Sequence, residues 1–534
     1  MIELETYSII PKKLSQINNN GFFIYNVAFK KNLNFFYLIS LNYLDNKFFY
    51  FIGKVLKFSG KVNLIRKMGS LIFIDIIENS YNFQLIIKKK KFYNIDFISI
   101  NNINTGDILG VCGFLYKTKN NVFSLDLIYI FILSKCFFPL PEKWHGLKDV
   151  ELRYRNRFLD LFFNKTNKNP FLLRSKIISL IRCKLDSLDF LEVETPVLVK
   201  VSGGASSSTF NTYHEFLNSN LILRIATELS LKKIISCSFS KIYEIGKIFR
   251  NESVDSTHNP EFTSIEFYQT YVNYKDNLLL IENIIKEICF KNFNSYIINF
   301  GEHTLDFNYF SIISIESLVL EFCNLNKDYF LNINFDVFFV LDLIIFYNFC
   351  FLDFKNFVNK YFFSIYFFND FKKDEFISIN NYELLKSFKK NNFFFFFPDE
   401  KTKKGFFYLL IGFIYENKIE KNIKNPTFIY GFSYFTNPLA KINNFHNYIL
   451  DRFELIISGI EIANLFTELI DPYEQYKRFK NDSDTSKIDF DFLNSLLFSI
   501  PPLSGAGIGI DRLSMIFSNS LSIKEVIFFP FMKS

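Results

Sequence analysis

The stretch Phe249–Tyr271, FRNESVDSTHNPEFTSIEFYQTY, interrupts a chain dominated elsewhere by Phe, Lys, Asn and Ile. Its second half, FTSIEFYQTY, reads as a β-strand. Side chains alternate across a strand, so Glu266 and Tyr268 share one face while Ile265 and Phe267 share the other. A carboxylate beside a phenol on an otherwise apolar strand makes either a polar pocket wall or an exposed sheet face. Just upstream, Arg250, Glu252 and His258 place a cation, a carboxylate and an imidazole close together in sequence.

A second diverse block, DRFELIISGIEIANLFTEL (451–469), bears on that choice. Ser458-Gly459 reads as a two-residue hairpin turn. Pairing outward from it sets Glu461 opposite Ile456 and puts Glu454 diagonally on the same face. Carboxylates so placed repel one another. A divalent cation would reverse the sign of that interaction, and Mg²⁺ is commonly held by one or two carboxylates plus substrate phosphates. Asn464 and Glu468 continue the polar positions. A purely structural reading must tolerate three unneutralised carboxylates, which favours a binding site.

The third block, SGAGIGIDRLSMIF (504–517), reads as a glycine-rich turn leading into a helix. Its G-x-G-x-G spacing is not a dinucleotide fingerprint, and only 25 residues follow Gly509, too few for the rest of a βαβ unit. No G-x-x-x-x-G-K-[ST] occurs, which excludes a P-loop. What remains is close backbone approach at the glycines, followed by Arg512, whose planar guanidinium suits phosphate.

Outside these blocks the composition has drifted. The 73 Phe and 29 Tyr against one Trp resemble the product of an AT-rich genome, so no single Phe carries weight. Length alone suggests about three or four domains or large subdomains. Residues 1–150 hold 19 Lys and Arg against 10 Asp and Glu, an excess of nine in a chain of net charge +7. The N-terminal part is therefore suited to a polyanion, nucleic acid or membrane surface. The run Lys88–Lys91 belongs to that excess, as a specific contact or as a solvated loop. Seven cysteines show no C-x-x-C, zinc spacing or disulfide framework, consistent with a reducing cytosol. The N-terminus has no signal-peptide pattern. FFVLDLIIFYNFCFLDF (338–354) carries Asp342 and Asp353 and reads as a buried segment, not a membrane span.

Short alternating runs from Lys54 to Phe138 argue for a small barrel or sandwich. PLPEKWHGLKDVELRYRNRFLDL (139–161) reads as a linker entering a helix, FLLRSKIISLIRCKLDSLDF (171–190) as a helix, and LEVETPVLV (191–199) as a strand closed by Pro196. Residues 1–53 are unassigned. The stretch 300–425 is of low complexity and shows no recognisable chemistry.

Taken together, LEVETPVL, FRNESVDSTHNPEFTSIEFYQ and GAGIGIDR resemble the three signature motifs of the class II aminoacyl-tRNA synthetases. GGASSSTF, LRIATELSLKKII, THNPEFTSIEFYQTY and NSLSIKEVIFFP are similar to the lysyl-tRNA synthetases of subclass IIb. The match runs from about residue 54 to the C-terminus, outside 300–425. It implies a mixed α/β (α+β) chain: an OB-type anticodon-binding barrel over 54–140, then a catalytic domain over 141–534 built on an antiparallel sheet with flanking helices. The implied enzyme is a cytoplasmic, homodimeric lysine–tRNA ligase using lysine, ATP, Mg²⁺ and tRNA(Lys), with Pro196 near the dimer interface.

The resemblance implies residue roles as well. Arg250 binds the amino acid's carboxylate and the α-phosphate of ATP, and with Arg512 forms the catalytic pair. Gly204 and Glu228 take the α-amino group. Glu266, Tyr268 and Glu468 suit the side-chain ammonium, with Asn464 nearby, where an aspartate-charging relative would need a cation. Glu252, His258, Asn259, Phe262, Glu461 and Arg512 meet ATP, and Glu454 and Glu461 carry the metal. In the barrel, Arg66, Phe73 and Gln84 stand where the family holds unpaired anticodon bases. Val122 replaces an acid at another anticodon contact, Ala463 and Leu465 replace a small-residue pair beside the carboxylates, and Thr257 precedes His258 where many members have arginine. The rival readings are an enzyme that lysylates a protein, whose relatives usually lack the barrel, and a degenerate, non-catalytic tRNA-binding protein. Retention of Arg250, Glu454, Glu461 and Arg512 amid the drift argues against the second.

Overall fold

The structure is a computed structural model. It describes residues 29–32, 53–78, 81–88, 103–118, 123–137, 149–325 apart from 202, 205 and 206, then 340, 343, 399–482 and 488–532. Val122, Lys89–Lys91 and most of the 338–354 segment lie outside these residues. The chain divides into two units, Met1–Asp149 and Val150–Ser534, fewer than its length suggested. One large sheet organises the cleft-bearing part of the second unit.

In the first unit, β1 (Val55–Met68), β2 (Leu71–Glu78), β3 (Tyr81–Lys88), β4 (Ile108–Lys117) and β5 (Phe123–Ser134) close a barrel in the order β1-β2-β3-β5-β4. The alternation in LIFIDIIE does what it predicts. Ile72, Ile74 and Ile76 are buried in the barrel core with Phe58, Leu85 and Val111, while Phe73 and Asp75 face the other way. β3 and β5 pair in parallel, and the other contacts between barrel strands are antiparallel. The closure contains one fully buried carboxylate. Asp107 accepts from Asn104 N at 2.7 Å and Cys136 N at 2.8 Å, and pairs with Lys135 Nζ at 2.7 Å.

The second unit is built on an eight-stranded sheet. Its strands are β6 (Leu191–Glu192), β7 (Lys241–Phe249), β8 (Glu261–Thr270), β9 (Ser311–Ser314), β10 (Thr427–Tyr430), β11 (Arg452–Ile457), β12 (Ile460–Thr467) and β13 (Leu503–Gly509). Their spatial order is β9-β10-β11-β12-β13-β8-β7-β6, antiparallel except at the two edge pairs. Strands from both ends of the low-complexity 300–425 region thus flank this sheet's edge. Four helices position the cleft: α1 (Asn169–Asp186), α2 (Glu228–Ile235), α3 (Tyr274–Phe293) and α4 (Ile510–Ser518). Helical spacing in α1 aligns Ile177, Ile181 and Leu185 on one stripe. These pack with Ile281, Ile285 and Ile288 of α3, Leu513 and Ile516 of α4, and Ile265 and Phe267 of β8. A reciprocal capping box between Asn273 and Asp276 starts α3. That face is dry, so the opposite face of β8, with Glu266 and Tyr268, is left to line a cleft.

Three local expectations change. LEVETPVLV is not one strand. Leu191–Glu192 joins the large sheet, whereas Leu198–Val199 pairs with Ser219–Leu223 in a separate three-stranded sheet. The break falls at Thr195, whose carbonyl accepts from Arg224 Nη1 and whose hydroxyl donates to Glu244. The 505–509 glycines belong to a central strand and not a turn; α4 begins only at Ile510. The hairpin at Ser458-Gly459 forms as read, both residues being left-handed at φ 52 and φ 69. Its register then shifts between Ile456 and Leu455, so that Ile456 pairs with Glu461 but Leu455 pairs with Ala463. Among the described residues no helix is long and apolar enough to cross a membrane.

Asp107→Ala should open the barrel locally. Removing one partner of a buried ion pair costs about 3–5 kcal/mol. Amide exchange in β4 and β5 of the full chain should speed up by roughly two to four powers of ten. Unchanged protection would show that the carboxylate is dispensable to the closure.

Candidate active site

A cleft of about 280 Å³ opens on the polar face of β8, β12 and β13. It gathers most of the residues singled out from the sequence. Gly204, Glu228, Arg250, Glu266 and Tyr268 line one part. Glu252, His258, Asn259, Phe262 and Arg512 line another, and Glu461 and Asn464 are also in the wall. Glu454 and Glu468 are outside this lining, Glu468 buried and Glu454 partly so.

The inner wall is rich in acid. Glu266 Oε1 accepts from Thr227 N at 3.4 Å, and its other oxygen meets Tyr268 Oη at 3.5 Å. Burial, aided by the nearby Glu228 and opposed by Arg250, pushes the Glu266 carboxyl up to about 7. Burial also holds the Tyr268 phenol well above its ordinary range. Behind them, Lys232 of α2 donates to Glu228 Oε1 at 2.6 Å and pairs with Glu468 Oε2. Burial works against this ammonium, but the two carboxylates outweigh it and its pKa stands above the usual lysine value. Burial likewise drives Glu468 upward against the pull of Lys232. The other Glu468 oxygen, Oε1, lies where a Cβ on Gly505 would come within 2.5 Å, and that Cβ would overlap the Tyr268 ring. A side chain at position 505 would therefore fill the floor.

Arg250 lies with its guanidinium 5.3 Å from the Phe262 ring, and its buried Nε has no hydrogen-bond partner among the described residues. A buried, unsatisfied guanidinium donor facing a cleft is suited to an anionic ligand. Arg512 donates through Nη1 to the Glu461 carbonyl at 3.0 Å and reaches its carboxylate at 3.4 Å. Its Nη2 lies 2.9 Å from His258 Nε2, which must accept because guanidinium nitrogens only donate. His258 Nδ1 then carries the proton toward Asp255 Oδ2 at 2.8 Å. The start of α4, where Arg512 sits, is pinned by Asp511, which accepts from Arg174 Nε at 2.8 Å and Thr263 N at 2.7 Å.

The register shift in the β11–β12 hairpin has a functional effect. In a regular strand, residues three apart face opposite ways. The extra residue at this bulge changes the parity, so Glu461 and Asn464 share a face with Glu454. The carboxylates taken as unneutralised nevertheless each meet a cation: Glu454 pairs with Arg452, Glu461 with Arg512, and Glu468 with Lys232. Their mutual repulsion therefore does not by itself demand a metal. A surplus does remain around Glu454. Burial pushes it to about 8, with Arg452 opposing and Glu461, Glu420 and Glu416 adding to the rise. Glu420, at about 7 mainly through burial and Glu461, belongs to the same cluster. Among the described residues no ready-made set of three metal-ligating side chains exists. The open Glu461 and the acid surplus behind it do fit a cation that takes its remaining ligands from phosphates and water.

Sequence reasoning missed Lys232 and Glu420. Lys232 had a readable signal, the four-residue spacing from Glu228 within LRIATELSLKKII, whereas Glu420 lies in the low-complexity stretch. In the barrel, Arg66 pairs across strands with Phe73, and Asp75 with Gln84, which puts all four on one outer face. Arg66 reaches Asp75 at 3.2 Å and stands 5.9 Å from the Phe73 ring centre, while Gln84 accepts from Ser124 Oγ at 2.9 Å.

The family model described as tRNA synthetases class II (D, K and N) matches residues 149–533. A lysine–tRNA ligase 2 of Methanosarcina mazei is 38% identical over 495 residues, covering 90% of this chain and 86% of its own. A lysine–tRNA ligase of Prochlorococcus marinus is 36% identical over 544 residues, covering 98% and 95%. That of Aquifex aeolicus is 36% identical over 491 residues, covering 89% and 72%. With the cleft and its motifs in place, the chain belongs to the class II tRNA synthetases, in the family of the lysine–tRNA ligases.

Proposed function

We propose that the cleft activates lysine with ATP and passes the lysyl group to tRNA(Lys). The observation that carries this reading is the deep acidic end, with Glu228 and Glu266 in its wall and Glu468 at its floor, next to the unsatisfied Arg250. A zwitterion with two ammonium groups and one carboxylate complements that arrangement.

In the first step a lysine carboxylate oxygen attacks the α-phosphorus of ATP. A P–O bond forms, the bond to the bridging oxygen of pyrophosphate breaks, and pyrophosphate leaves with that electron pair. Negative charge grows on the α-phosphoryl oxygens, where Arg250 stabilises it. Gly204 and Glu228 hold the α-ammonium. Glu266 and Glu468 meet the side-chain ammonium, with Tyr268 and Asn464 beside it. Glu252, His258, Asn259 and Phe262 hold the adenosine and phosphates, and Arg512, fixed by Glu461 and His258, binds a phosphate oxygen. Mg²⁺, held by Glu461 with Glu454 behind it, would supply charge neutralisation of the phosphates. In the second step a hydroxyl of the tRNA's terminal adenosine attacks the lysyl carbonyl, the ester bond forms, the carbonyl C–O bond to the phosphate breaks, and AMP departs with that electron pair as the hydroxyl gives up its proton. The protein positions reactants and balances charge.

The outer barrel face of Arg66, Phe73 and Gln84 offers a cation, an aromatic surface and an amide, the groups that hold splayed bases of an RNA loop. Pairing of two copies at the first motif is supported by Leu191, Val197 and Leu198, all exposed beside Pro196.

ATP–pyrophosphate exchange across all twenty amino acids tests the reading. Exchange should depend on lysine and on Mg²⁺, and norleucine, which has the stem without the charge, should be a very poor substrate. Glu266→Gln should lower kcat/KM for lysine by roughly two to four powers of ten while narrowing the lysine-to-norleucine ratio. Preference for aspartate or asparagine would contradict the lysine assignment. Arg66→Ala and Gln84→Ala should weaken tRNA charging and leave exchange intact. Equal loss in both assays would remove the RNA-binding role of that face.

A further inference from the structure

Lys232 is the residue whose position asks for more than a structural account. It is fully buried, and its ammonium ends between two carboxylates of the acidic end, Glu228 and Glu468. Helix geometry dictates one of these contacts. Lys232 follows Glu228 by four residues on α2, so the two side chains lie one above the other and meet at 2.6 Å. The other contact is tertiary, because Glu468 arrives from just beyond the end of β12. Phe466 and Phe492 stand 5.7 and 5.8 Å from the ammonium. Their rings add to its stabilisation and shield it from water.

Each carboxylate gives Lys232 one oxygen and keeps the other near a glycine. Glu228 binds through Oε1, and its Oε2 lies 3.6 Å from a Cβ built on Gly204. Glu468 binds through Oε2, and its Oε1 lies 2.5 Å from a Cβ built on Gly505. Both glycines line the cleft. Both Glu468 oxygens are buried, and beyond the Lys232 ion pair at Oε2 neither has a hydrogen-bond partner among the described residues. Two carboxylate oxygens thus stand beside glycines of the cleft wall, and one resident ammonium clamps their partners.

We propose that Lys232 is a specificity-determining positioning residue whose ammonium ties Glu228 to Glu468 and fixes the spacing that the two ammonium groups of a diamino acid must match. The inference rests on the lysine reading of the pocket. An ammonium is small enough to sit between both carboxylates, whereas a guanidinium would hold them further apart and a neutral side chain would let them repel. A shorter diamino acid such as ornithine fails in the parent because its second ammonium cannot reach Glu468 while the first stays on Glu228. In an apolar pocket one missing methylene is worth about 10–200-fold, and here it also parts a charge from its partner.

The test is pyrophosphate exchange with lysine and ornithine, using the full-length parent, Lys232→Met and Lys232→Arg. In both variants the lysine-to-ornithine ratio of kcat/KM should fall by about tenfold or more. KM for lysine should rise steeply, and KM for ATP should stay within about threefold, because ATP meets the other part of the cleft. A residue that only supports the fold would depress both amino acids alike. If Lys232→Met proves too unstable to purify, Lys232→Arg, which keeps the charge, carries the comparison. A lysine-to-ornithine ratio within about twofold of the parent's in the variants overturns this inference alone. A parent without lysine-dependent exchange overturns the lysine reading as well.

Discussion

Glu228, Glu266 and Glu468 are crowded into one desolvated end of a cleft where, among the described residues, Lys232 and Arg250 are the cations that face them. Buried charge is tolerated only when paired or neutralised. With every carboxylate ionised, this group is one negative charge in excess, and burial responds by raising the Glu266 carboxyl to about 7. A lysine zwitterion brings net charge +1 and removes the excess. The preference for that ligand thus follows from the charge count of the pocket as well as from its shape.

Much of the scaffold serves to keep those charges where they are. The dry face of the sheet, filled by Ile265, Phe267 and the stripes of α1, α3 and α4, fixes β8 so that Glu266 and Tyr268 face the cleft. Gly505 leaves the floor open between Tyr268 and Glu468. α2 delivers Glu228 and Lys232 as one unit. At the other part of the cleft, Asp511 locks the start of α4 to Arg174 and Thr263, which in turn sets Arg512 against His258 and Glu461. The bulge in the β11–β12 hairpin supplies the parity change that brings Glu461 and Asn464 to one side. Each device solves a local problem of direction or space, and together they separate an ammonium-binding end from a phosphate-binding end.

Much of this was legible because the chemistry resists the compositional drift. Glu266 and Tyr268 alternate with Ile265 and Phe267 in plain period two, and the Ser458-Gly459 turn carries its own backbone signature. The barrel was readable from alternation alone in LIFIDIIE. Other features depend on tertiary contacts that no local pattern encodes. The glycines of 505–509 looked like a turn because glycine is rare in strands, yet here they give room to side chains arriving from neighbouring strands. Arg452, Arg512 and Lys232 neutralise carboxylates from positions that only folding brings near. Lys232 was hidden for a further reason: in a lysine-rich chain, a Glu–Lys pair four residues apart reads as an ordinary exposed helix pair. Glu420 lay in a stretch whose phenylalanines carried no usable period.

In the free protein Glu266 holds its proton below about pH 7, and an arriving ammonium favours the ionised form. Binding must therefore expel a proton on the acidic side of that value, and affinity must strengthen as the pH rises toward it. Titration calorimetry of lysine into the full chain, in buffers of differing ionisation enthalpy, measures this exchange directly. Release approaching about one proton from Glu266 at pH 6, with tighter binding at pH 7.5, is the predicted result. Binding that neither releases a proton nor changes in strength between those values would contradict the charge balance on which the pocket depends.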